Sequence, residues 1–341
     1  MKAQNDLFLK SGYVNTSLYF DCIEPFVLSL GGRGIGKTYG CLKEILTREI
    51  PFIYLRRTQI QIDNICIPAL NPFNSVCRDI GMTITVEKIG KHAVGFYRQH
   101  EENKELIGIG IALSTFAAIR GLSAEDYKLI LFDEIIPEKH ERPIKEEGLA
   151  FSNLLESINR NRELSGKEPI KTIMLSNTNT LNSEILKVLG VLPTIEKMER
   201  KKQQTRSING DIAIYRYFES PISERKKDTA LYRVLQNDAF QSMSIENAFD
   251  ANNYEYVAFR PLTEYNALTS IAGITVFKHK SKAEYYIITG VKSSVIYGTT
   301  ENEKAAFRRR YYYLFDALEH RRLFFSDAAT KITFESEVMK K

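Results

Sequence analysis

The sequence has few of the features that mark membrane-bound or secreted proteins. No apolar run approaches the ~20 residues that a membrane-spanning helix needs. The first ten residues contain Lys2, Asp6 and Lys10 and no apolar segment, so no signal peptide is predicted. These absences indicate a cytoplasmic protein that does not associate with a membrane.

Cysteine is also scarce, with four residues in a chain of 341. Their spacings do not match those of metal ligands, so we do not expect a cysteine-based metal site. We predict buried thiols in a reducing compartment instead. The four are Cys22, Cys41, Cys66 and Cys77.

The rest of the composition is that of a globular protein large enough for two domains and a sizeable core, with 43% hydrophobic and 26% charged residues. The net charge of +5 is small, but its basic runs gather late in the chain. This asymmetry favours a polyanionic partner, although a solvated surface would explain any single run. The runs are residues 197–202, 225–227, 308–310 and 321–322.

One stretch, residues 31–38, matches the phosphate-binding pattern G-x-x-x-x-G-K-[ST]. An apolar run typical of a buried strand precedes it at 26–30, and a helical pattern follows it at 39–48. In this context Lys37 is predicted to reach the β- and γ-phosphates of ATP and Thr38 to bind Mg²⁺. The alternative is a glycine-rich turn between a strand and a helix. The predicted nucleotide-binding residues are Gly31, Gly32, Arg33, Gly34, Ile35, Gly36, Lys37 and Thr38.

Two acids, Asp133 and Glu134, follow directly on the apolar strand pattern of residues 127–132. We predict that Asp133 holds the metal ion and that Glu134 polarises the attacking water. A second carboxylate favours hydrolysis over phosphoryl transfer to a small molecule. The alternative is an ordinary solvated strand end.

Three further polar residues are candidates for the same reaction. Asn177 follows the apolar run 170–175 and would touch the γ-phosphate or the water, or else form an Asx turn. Arg160 ends a predicted helix, where it suits the helix dipole or acts as an arginine finger on a neighbouring subunit's ATP. Arg120 is a second candidate for a basic group at a subunit boundary.

The order of patterns predicts the architecture. Strands at 26–30, 52–55, 127–132 and 170–175 alternate with helices, which indicates a mostly parallel, three-layered α/β sheet. Alternating runs at 82–87, 93–98 and 106–113 predict an antiparallel meander inserted in it. We expect this domain to span 1–195, a linker or lid 196–233, and a smaller α+β domain 234–341. In the last, we predict strands at 254–259, 271–278 and 285–289 and a closing helix at 305–325.

The glycine loop, Gly31 to Thr38, resembles the G-A-R-G-I-G-K-S loop of the phi-29-like phage DNA-packaging ATPases. The resemblance extends in register over roughly the first half of the chain. It implies a P-loop NTPase of the additional-strand, conserved-glutamate type, related to large terminases. By resemblance, Glu134 is the catalytic glutamate, and Arg160 and Arg120 act in trans. The matching segments are Ile53-Tyr54-Leu55-Arg56-Arg57, Leu131-Phe132-Asp133-Glu134, Arg160-Asn161-Arg162-Glu163 and Leu175-Ser176-Asn177.

The same resemblance implies cofactors and partners. It points to ATP and Mg²⁺, to double-stranded viral DNA, and to a homopentameric ring on the portal (connector) protein of an empty capsid. The best-known members also use a packaging RNA. The location implied is the host bacterial cytoplasm, with transient attachment to the portal vertex of the procapsid.

Large terminases also carry a C-terminal nuclease with an RNase H-like fold. The runs 257–261 and 275–278, where its metal ligands belong, contain Arg260 but no aspartate. Two-metal hydrolysis needs several carboxylates around cations ~4 Å apart. We therefore expect a vestigial nuclease-like domain without nuclease activity.

The leading interpretation is an ATP-driven translocase for double-stranded DNA. The alternatives are a terminase with an active nuclease, another P-loop phosphotransferase, and a P-loop nucleic-acid-binding module without hydrolysis. For the DNA contact we predict Lys88 and Lys91 around a hairpin turn, and Arg56 and Arg57 at a strand end. The two lysines would otherwise serve to keep an exposed hairpin soluble.

Overall fold

The computed structural model describes residues 7–101, 103–119, 121, 124–138, 141, 144–178, 180–234 and 254–339. These residues fall into two compact units. The first is drawn from Met1–Asn179, Ser183–Leu189 and Met198–Phe249, and the second from Thr180–Asn182, Gly190–Lys197 and Asp250–Lys341. The described part of the chain contains no helix with the length and hydropathy of a membrane span.

The first unit is built from short strands joined by helices. Its strands are β1 (Phe26–Leu30), β2 (Phe52–Arg56), β3 (Ile84–Lys88), β4 (Ala93–Gln99), β5 (Lys104–Ala112), β6 (Leu129–Asp133), β7 (Lys171–Ser176), β8 (Thr205–Ile208) and β9 (Ile212–Arg216). Its helices are α1 (Ser17–Asp21), α2 (Lys37–Thr47), α3 (Gln59–Ile65), α4 (Phe73–Ile80), α5 (Glu147–Asn159), α6 (Glu184–Val188), the last turn of α7 (Leu192–Lys201), α8 (Pro221–Lys227) and α9 (Ala230–Val234).

Among the described residues, these strands form one nine-stranded sheet in the order β3-β4-β5-β2-β6-β7-β1-β9-β8. The six strands from β5 to β9 in this order pair in parallel, and β3, β4 and β8 pair antiparallel. The prediction of an α/β domain with a mostly parallel sheet is confirmed. The predicted meander is present as β3, β4 and β5, and it extends the main sheet at one edge because β5 pairs with β2.

The central strands are apolar because both faces of the sheet are covered. On β6, Leu131 joins the core cluster that contains Leu42 of α2, whereas Phe132 packs against Phe151 of α5 with tilted rings whose centroids lie 5.5 Å apart. Burying each such side chain contributes about 1.5–3 kcal/mol. The core therefore fixes β6 in the middle of the sheet, with Asp133 at its carboxyl end.

The predicted linker at 196–233 is wrong for residues 205–216. They form β8 and β9, and β9 pairs in parallel with β1 from Phe26↔Ile212 to Leu30↔Arg216. The run is short and lies between polar segments, so its sequence pattern for a strand is weak. Pairing with β1 buries these residues and stabilises them as strands. Arg216 is accommodated in the interior because its Nε donates to Glu199 over 2.5 Å.

The second unit contains a five-stranded sheet among its described residues, in the order β13-β10-β11-β12-β14. Its strands are β10 (Tyr265–Ile271), β11 (Ile274–His279), β12 (Tyr285–Thr289), β13 (Ile296–Tyr297) and β14 (Leu323–Phe325). Its helices are the first turns of α7, α10 (Glu301–Arg310), α11 (Tyr313–Glu319), α12 (Ala328–Thr333) and a π-helical segment, Phe334–Met339. The sheet packs one face on these C-terminal helices through the cluster around Val276, Ile287 and Phe307.

Two sequence-based boundaries in this unit are wrong. Residues 254–259 contain a single bridge, Val257↔Phe325, and the first strand is β10 instead. The predicted closing helix 305–325 is divided into α10, α11 and strand β14. The helical pattern of its apolar residues is real, but Leu323–Phe325 pairs with β12 because that sheet edge offers unpaired backbone groups.

The cysteine prediction holds in part. All four thiols are free, but only Cys41 and Cys77 are buried, while Cys22 and Cys66 are half-buried.

Candidate nucleotide site

The glycine loop connects β1 to α2, as the sequence predicts. Gly36 stands just before α2 with φ of 93°, in the left-handed region where only glycine is unstrained. A Cβ built there would lie 3.0 Å from the Tyr13 ring. Gly36 therefore lets the chain turn directly into α2, whose N-terminal N–H groups are unpaired within the helix and carry its positive dipole end.

Lys37 is held inside this loop. Its Nζ donates to the carbonyl oxygens of Gly31 and Gly32 over 2.8 and 2.7 Å, and to Oδ1 of Asn177 over 3.3 Å. Burial lowers the pKa of Lys37 to about 7, and the nearby negative charge of Asp133 opposes the shift. The hydrogen bonds of the ammonium group described above go to neutral acceptors, which are weak partners for a buried charge. An anionic ligand would supply the charge that these acceptors lack.

Asp133, at the end of β6, accepts hydrogen bonds from three side chains. Thr38 Oγ1 donates to its Oδ1 over 3.0 Å, while Tyr54 Oη and Arg56 Nη1 donate to its Oδ2 over 2.9 and 3.0 Å. The contact with Thr38 joins residues that are far apart in sequence, because β7 and β1 carry the loop to the edge where β6 ends. A hydroxyl and a carboxylate oxygen at this distance are the hard ligands that Mg²⁺ takes beside phosphate oxygens, so the residues fit the predicted ion.

Glu134 lies beside Asp133 in an uncommon backbone conformation. Its φ is 60°, and its side chain is 46% exposed. Arg56 Nη2 donates to Glu134 Oε2 over 2.5 Å. Burial raises the pKa of Glu134, and the charge of Arg56 opposes the shift. The carboxylate is accessible to a water molecule but shared with a guanidinium group.

These groups surround one cavity of about 340 Å³. Its lining includes Gly34, Gly36, Lys37, Thr38, Asp133, Glu134 and Asn177. The structure thus brings together the loop, the carboxylate pair and the polar residue after β7. Arg33 lines the same cavity and forms an ion pair with Glu138. The side chain of Ile35 is fully buried, so only its backbone could contact a ligand in the cavity.

The prediction that Arg56 and Arg57 contact DNA disagrees with the structure. Arg56 is engaged with Asp133 and Glu134, as described above. The Arg57 side chain is 1% exposed, and its Nε and Nη1 donate to Glu147 and Glu141 over 2.6 Å each. Arg56 ends β2 and Arg57 follows it, and both turn inward, because carboxylates at and after the end of β6 and at the start of α5 neutralise them there.

Comparison with known proteins shows the family of this chain. The family model described as podovirus DNA encapsidation protein (Gp16) matches residues 9–273, more than half of the chain. The chain belongs to the podovirus DNA encapsidation family. Among curated proteins no match is found.

Two solved structures resemble this chain over nearly its full length, and a third resembles it over 60%. The Phi-29 viral genome packaging motor assembly has 20% identity and a TM-score of 0.67, covering 96% of this chain and 98% of that chain. The Phi-28 gp11 DNA packaging motor has 18% identity and a TM-score of 0.64, with the same coverage. The N-terminal domain of the phi29 DNA packaging ATPase has 24% identity and a TM-score of 0.46, covering 60% of this chain and 96% of that chain. Family membership confirms the predicted role in genome packaging and decides against a small-molecule phosphotransferase.

Arg160 lies away from the cavity described above. It follows α5 with φ of 45°, is exposed, and donates from Nε to the Ser157 carbonyl oxygen over 3.1 Å. The neighbouring Arg162 donates to the carbonyl oxygen of Tyr127, just before β6 begins. This end of α5 therefore lies at the amino ends of the parallel strands, whereas Asp133 lies at their carboxyl ends. The two are roughly 16 Å apart along a five-residue strand. Arg120 lies outside the described residues.

Lys88 and Lys91 lie where the sequence predicts, around the turn between β3 and β4. Gly90 in this turn has φ of 93°. The Lys88 side chain is 57% exposed, and its Nζ lies 3.1 Å from Asp63 Oδ1. Lys91 is exposed as well.

Sequence reasoning missed two residues near the cavity. Tyr54 donates to Asp133, and the alternation along β2 could have revealed it, because Tyr54 and Arg56 share one face of the strand. Lys226 of α8 donates from Nζ to the Arg33 carbonyl oxygen. The basic run 225–227 was visible, but no spacing in the sequence relates it to the loop.

The buried ion pair between Arg57 and Glu147 gives a test of the packing around β2. Arg57→Ala should destabilise the fold by about 3–5 kcal/mol, because it leaves the buried Glu147 carboxylate without its cation. Burial already raises the pKa of Glu147 above its unfolded value. A group with a raised folded pKa loses stability as pH rises from its unfolded to its folded pKa, so the loss should be smaller at pH 5 than at pH 8.

Urea unfolding of the variant at both pH values measures this difference. Arg98→Ala, which removes a solvent-exposed pair with Glu49, is the control and should cost much less than Arg57→Ala at either pH. Equal losses in the two variants would contradict the assignment of Arg57 to a buried network.

Proposed function

We propose that this chain is the ATP-hydrolysing subunit of a motor that drives double-stranded genomic DNA into a phage procapsid. One observation carries the proposal. In a member of the DNA encapsidation family, Thr38 of the glycine loop and Asp133 at the end of β6 meet at 3.0 Å beside the buried ammonium of Lys37. This arrangement has the groups that phosphoryl transfer from ATP requires.

Each residue of the site has a separate task in this proposal. The loop N–H groups and Lys37 bind the phosphates, and Asn177 positions Lys37 or the attacking water. Thr38 and Asp133 would hold Mg²⁺, which when bound neutralises charge on the phosphate oxygens. Glu134 orients the water and accepts its proton, which requires its pair with Arg56 to loosen, because a carboxylate shared with a guanidinium is a weaker base.

The sheet order supports the additional-strand, conserved-glutamate class of P-loop NTPases. In that class one strand separates the loop strand from the strand that carries the acids. Here β7 lies between β1 and β6, and Asn177 follows it at the same edge. We assign residues 1–195 to the ATPase domain, extended by β8 and β9 from the segment 196–233.

The position of Arg160 supports an assembly in which subunits complete each other's sites. Since Arg160 lies at the opposite edge of its own sheet, a role at a nucleotide requires a neighbouring subunit. A ring at the portal protein, with five copies and a packaging RNA as in the relatives implied by the resemblance, provides such neighbours. Arg120 is proposed for the same boundary. The motor would assemble in the host cytoplasm and attach transiently to the portal vertex.

For residues 234–341 we propose a vestigial nuclease-like domain. The strands β10, β11 and β12, which would carry metal ligands, contain no aspartate or glutamate. Within the described residues, no three His, Cys, Asp or Glu side chains are grouped so as to hold a metal ion. Cleavage of plasmid DNA with Mn²⁺ would instead indicate a terminase with an active nuclease.

The first prediction concerns hydrolysis. Glu134→Gln should bind ATP and Mg²⁺ normally but lower kcat at least about 100-fold, because it removes the base without removing a phosphate ligand. Lys37→Ala should instead weaken nucleotide binding. Glu125→Gln, an exposed acid at the opposite sheet edge, is the control and should be unaffected.

Turnover measured with and without duplex DNA tests the same proposal at two levels. Wild-type turnover should rise with duplex DNA. Full activity of Glu134→Gln would show that Glu134 is not the catalytic base. ATP turnover that is unchanged by duplex DNA would contradict the proposed translocase.

The second prediction concerns Arg160. Subunits with Arg160→Ala should be inactive alone but should recover turnover when mixed with Lys37→Ala subunits, because each supplies the group that the other lacks. Lys167→Ala, an exposed change at the same sheet edge, should be fully active by itself. A mixture that stays inactive at every ratio would contradict action in trans between adjacent subunits.

The third prediction concerns the β3–β4 turn, for which we propose a contact with DNA phosphates. Lys88→Ala with Lys91→Ala should weaken binding of duplex DNA equally for all sequences. The slope of log K against log[salt] should fall in magnitude by about one per lost contact. Lys104→Ala on β5 controls for charge on the same meander. An unchanged slope in the double variant, with basal hydrolysis intact, would move the DNA contact elsewhere.

A further inference from the structure

Helix α8 lies against the glycine loop, and the residues at its N-terminus hold it in this position. Ser220 caps it by accepting from the Ser223 backbone N–H over 3.3 Å, and Pro221 occupies its first position. Ser223 is fully buried, and Ile222 packs against the core cluster of the first unit. A Cβ built on Gly12 would lie 3.1 Å from Pro221 Cβ, so the chain before the loop also contacts this helix closely. The helix therefore has a defined position beside the loop.

Lys226 extends from α8 onto the loop. Its Nζ donates to the Arg33 carbonyl oxygen. A Cβ built on Gly34 would lie 2.8 Å from the same Nζ, which places the ammonium group directly over Gly34. Gly34 has φ of 67°, and the absence of a side chain there leaves the approach to the loop open. Arg33 and Gly34 both line the cavity beside Asp133.

The charges around Lys226 favour an anion. None of the ion pairs formed among the described residues includes Lys226. Burial lowers the pKa of Lys226, because its ammonium group is partly withdrawn from water beside the loop. Two amines that converge on one loop from different elements are the arrangement that a polyphosphate neutralises.

We propose that Lys226 binds the triphosphate of the nucleotide in its own subunit, as a second cation that acts from α8 opposite Lys37. The inference rests on the proposed nucleotide site. It adds a ligand from the segment that follows β9, so occupancy of the site by a triphosphate fixes α8 as well as the loop. On binding, the Lys226 ammonium group changes its hydrogen-bond acceptor from the Arg33 carbonyl oxygen to a phosphate oxygen. No covalent bond is formed or broken in this exchange.

The test measures the affinity of four variants for ATPγS, ADP and AMP, at a concentration where sedimentation shows monomers. Lys226→Ala should raise the Kd for ATPγS about 10- to 100-fold, the size expected for one charge-assisted hydrogen bond. The effect on AMP should be under twofold, and Lys226→Arg should retain most of the affinity. Arg225→Ala is the matched control, because it removes a neighbouring exposed cation whose guanidinium contacts the Ser11 carbonyl oxygen at 3.5 Å.

Lys37→Ala separates the two possible failures. Loss of ATPγS binding in Lys37→Ala with wild-type binding in Lys226→Ala would overturn the inference and leave the nucleotide site standing. Unchanged binding in Lys37→Ala would overturn the site itself. A loss that is equal for ATPγS and AMP would also overturn the inference, because it would indicate a structural effect.

A second measurement needs no variant. Acetylation of Lys226 in the wild-type chain, followed by mass spectrometry, should be suppressed by ATPγS and not by AMP. Equal acetylation with and without ATPγS would overturn the inference even if the variants failed to fold.

Discussion

The carboxylate of Asp133 is the group on which the arrangement of this site depends. It is buried at the end of β6, and a buried carboxylate is stable only with several donors around it. Thr38 at the start of α2 provides one donor, and Tyr54 and Arg56 on one face of β2 provide the other two. The same three contacts that neutralise Asp133 therefore set the distance between the glycine loop and the carboxyl ends of β2 and β6.

Arg56 connects this requirement to the chemistry. Its guanidinium group bridges Asp133 and Glu134, and its Nε is buried with no partner given by the structure. A cation in this position stabilises two adjacent carboxylates that would otherwise repel each other. In the proposed mechanism this pair also weakens Glu134 as a base. A cation held by Asp133 would then favour the release of Glu134 from Arg56.

A second charged cluster, formed by Arg57, Glu141 and Glu147, ties the end of β2 to the start of α5. The helix then runs back along the sheet and ends with Arg160 at the opposite edge. Both ends of α5 are anchored, by Glu147 to Arg57 at one end and by Asn159 to the Ile170 backbone at the other. The position of Arg160 is therefore fixed relative to the candidate nucleotide site of its own subunit. A subunit can then present this arginine outward without a flexible connection.

The sequence by itself determined the central part of the first unit. The glycine pattern, the apolar runs and the acids after β6 are local signals, and the parallel α/β sheet with its residues at one edge follows from them. It also placed the meander and the hairpin with Lys88 and Lys91, because alternation and a Gly turn are read over few residues.

The tertiary structure decided what no local pattern encodes. Residues 205–216 have a short, weak alternation and become strands only through pairing with β1, and Leu323–Phe325 leaves a helical pattern to pair with β12. The partners of Arg56, Arg57 and Lys226 lie between 77 and 193 residues away in the chain. Whether an arginine at a strand end faces solvent or a buried carboxylate depends on which strands and helices meet there. That meeting is a property of the packed sheet and not of any segment of the sequence.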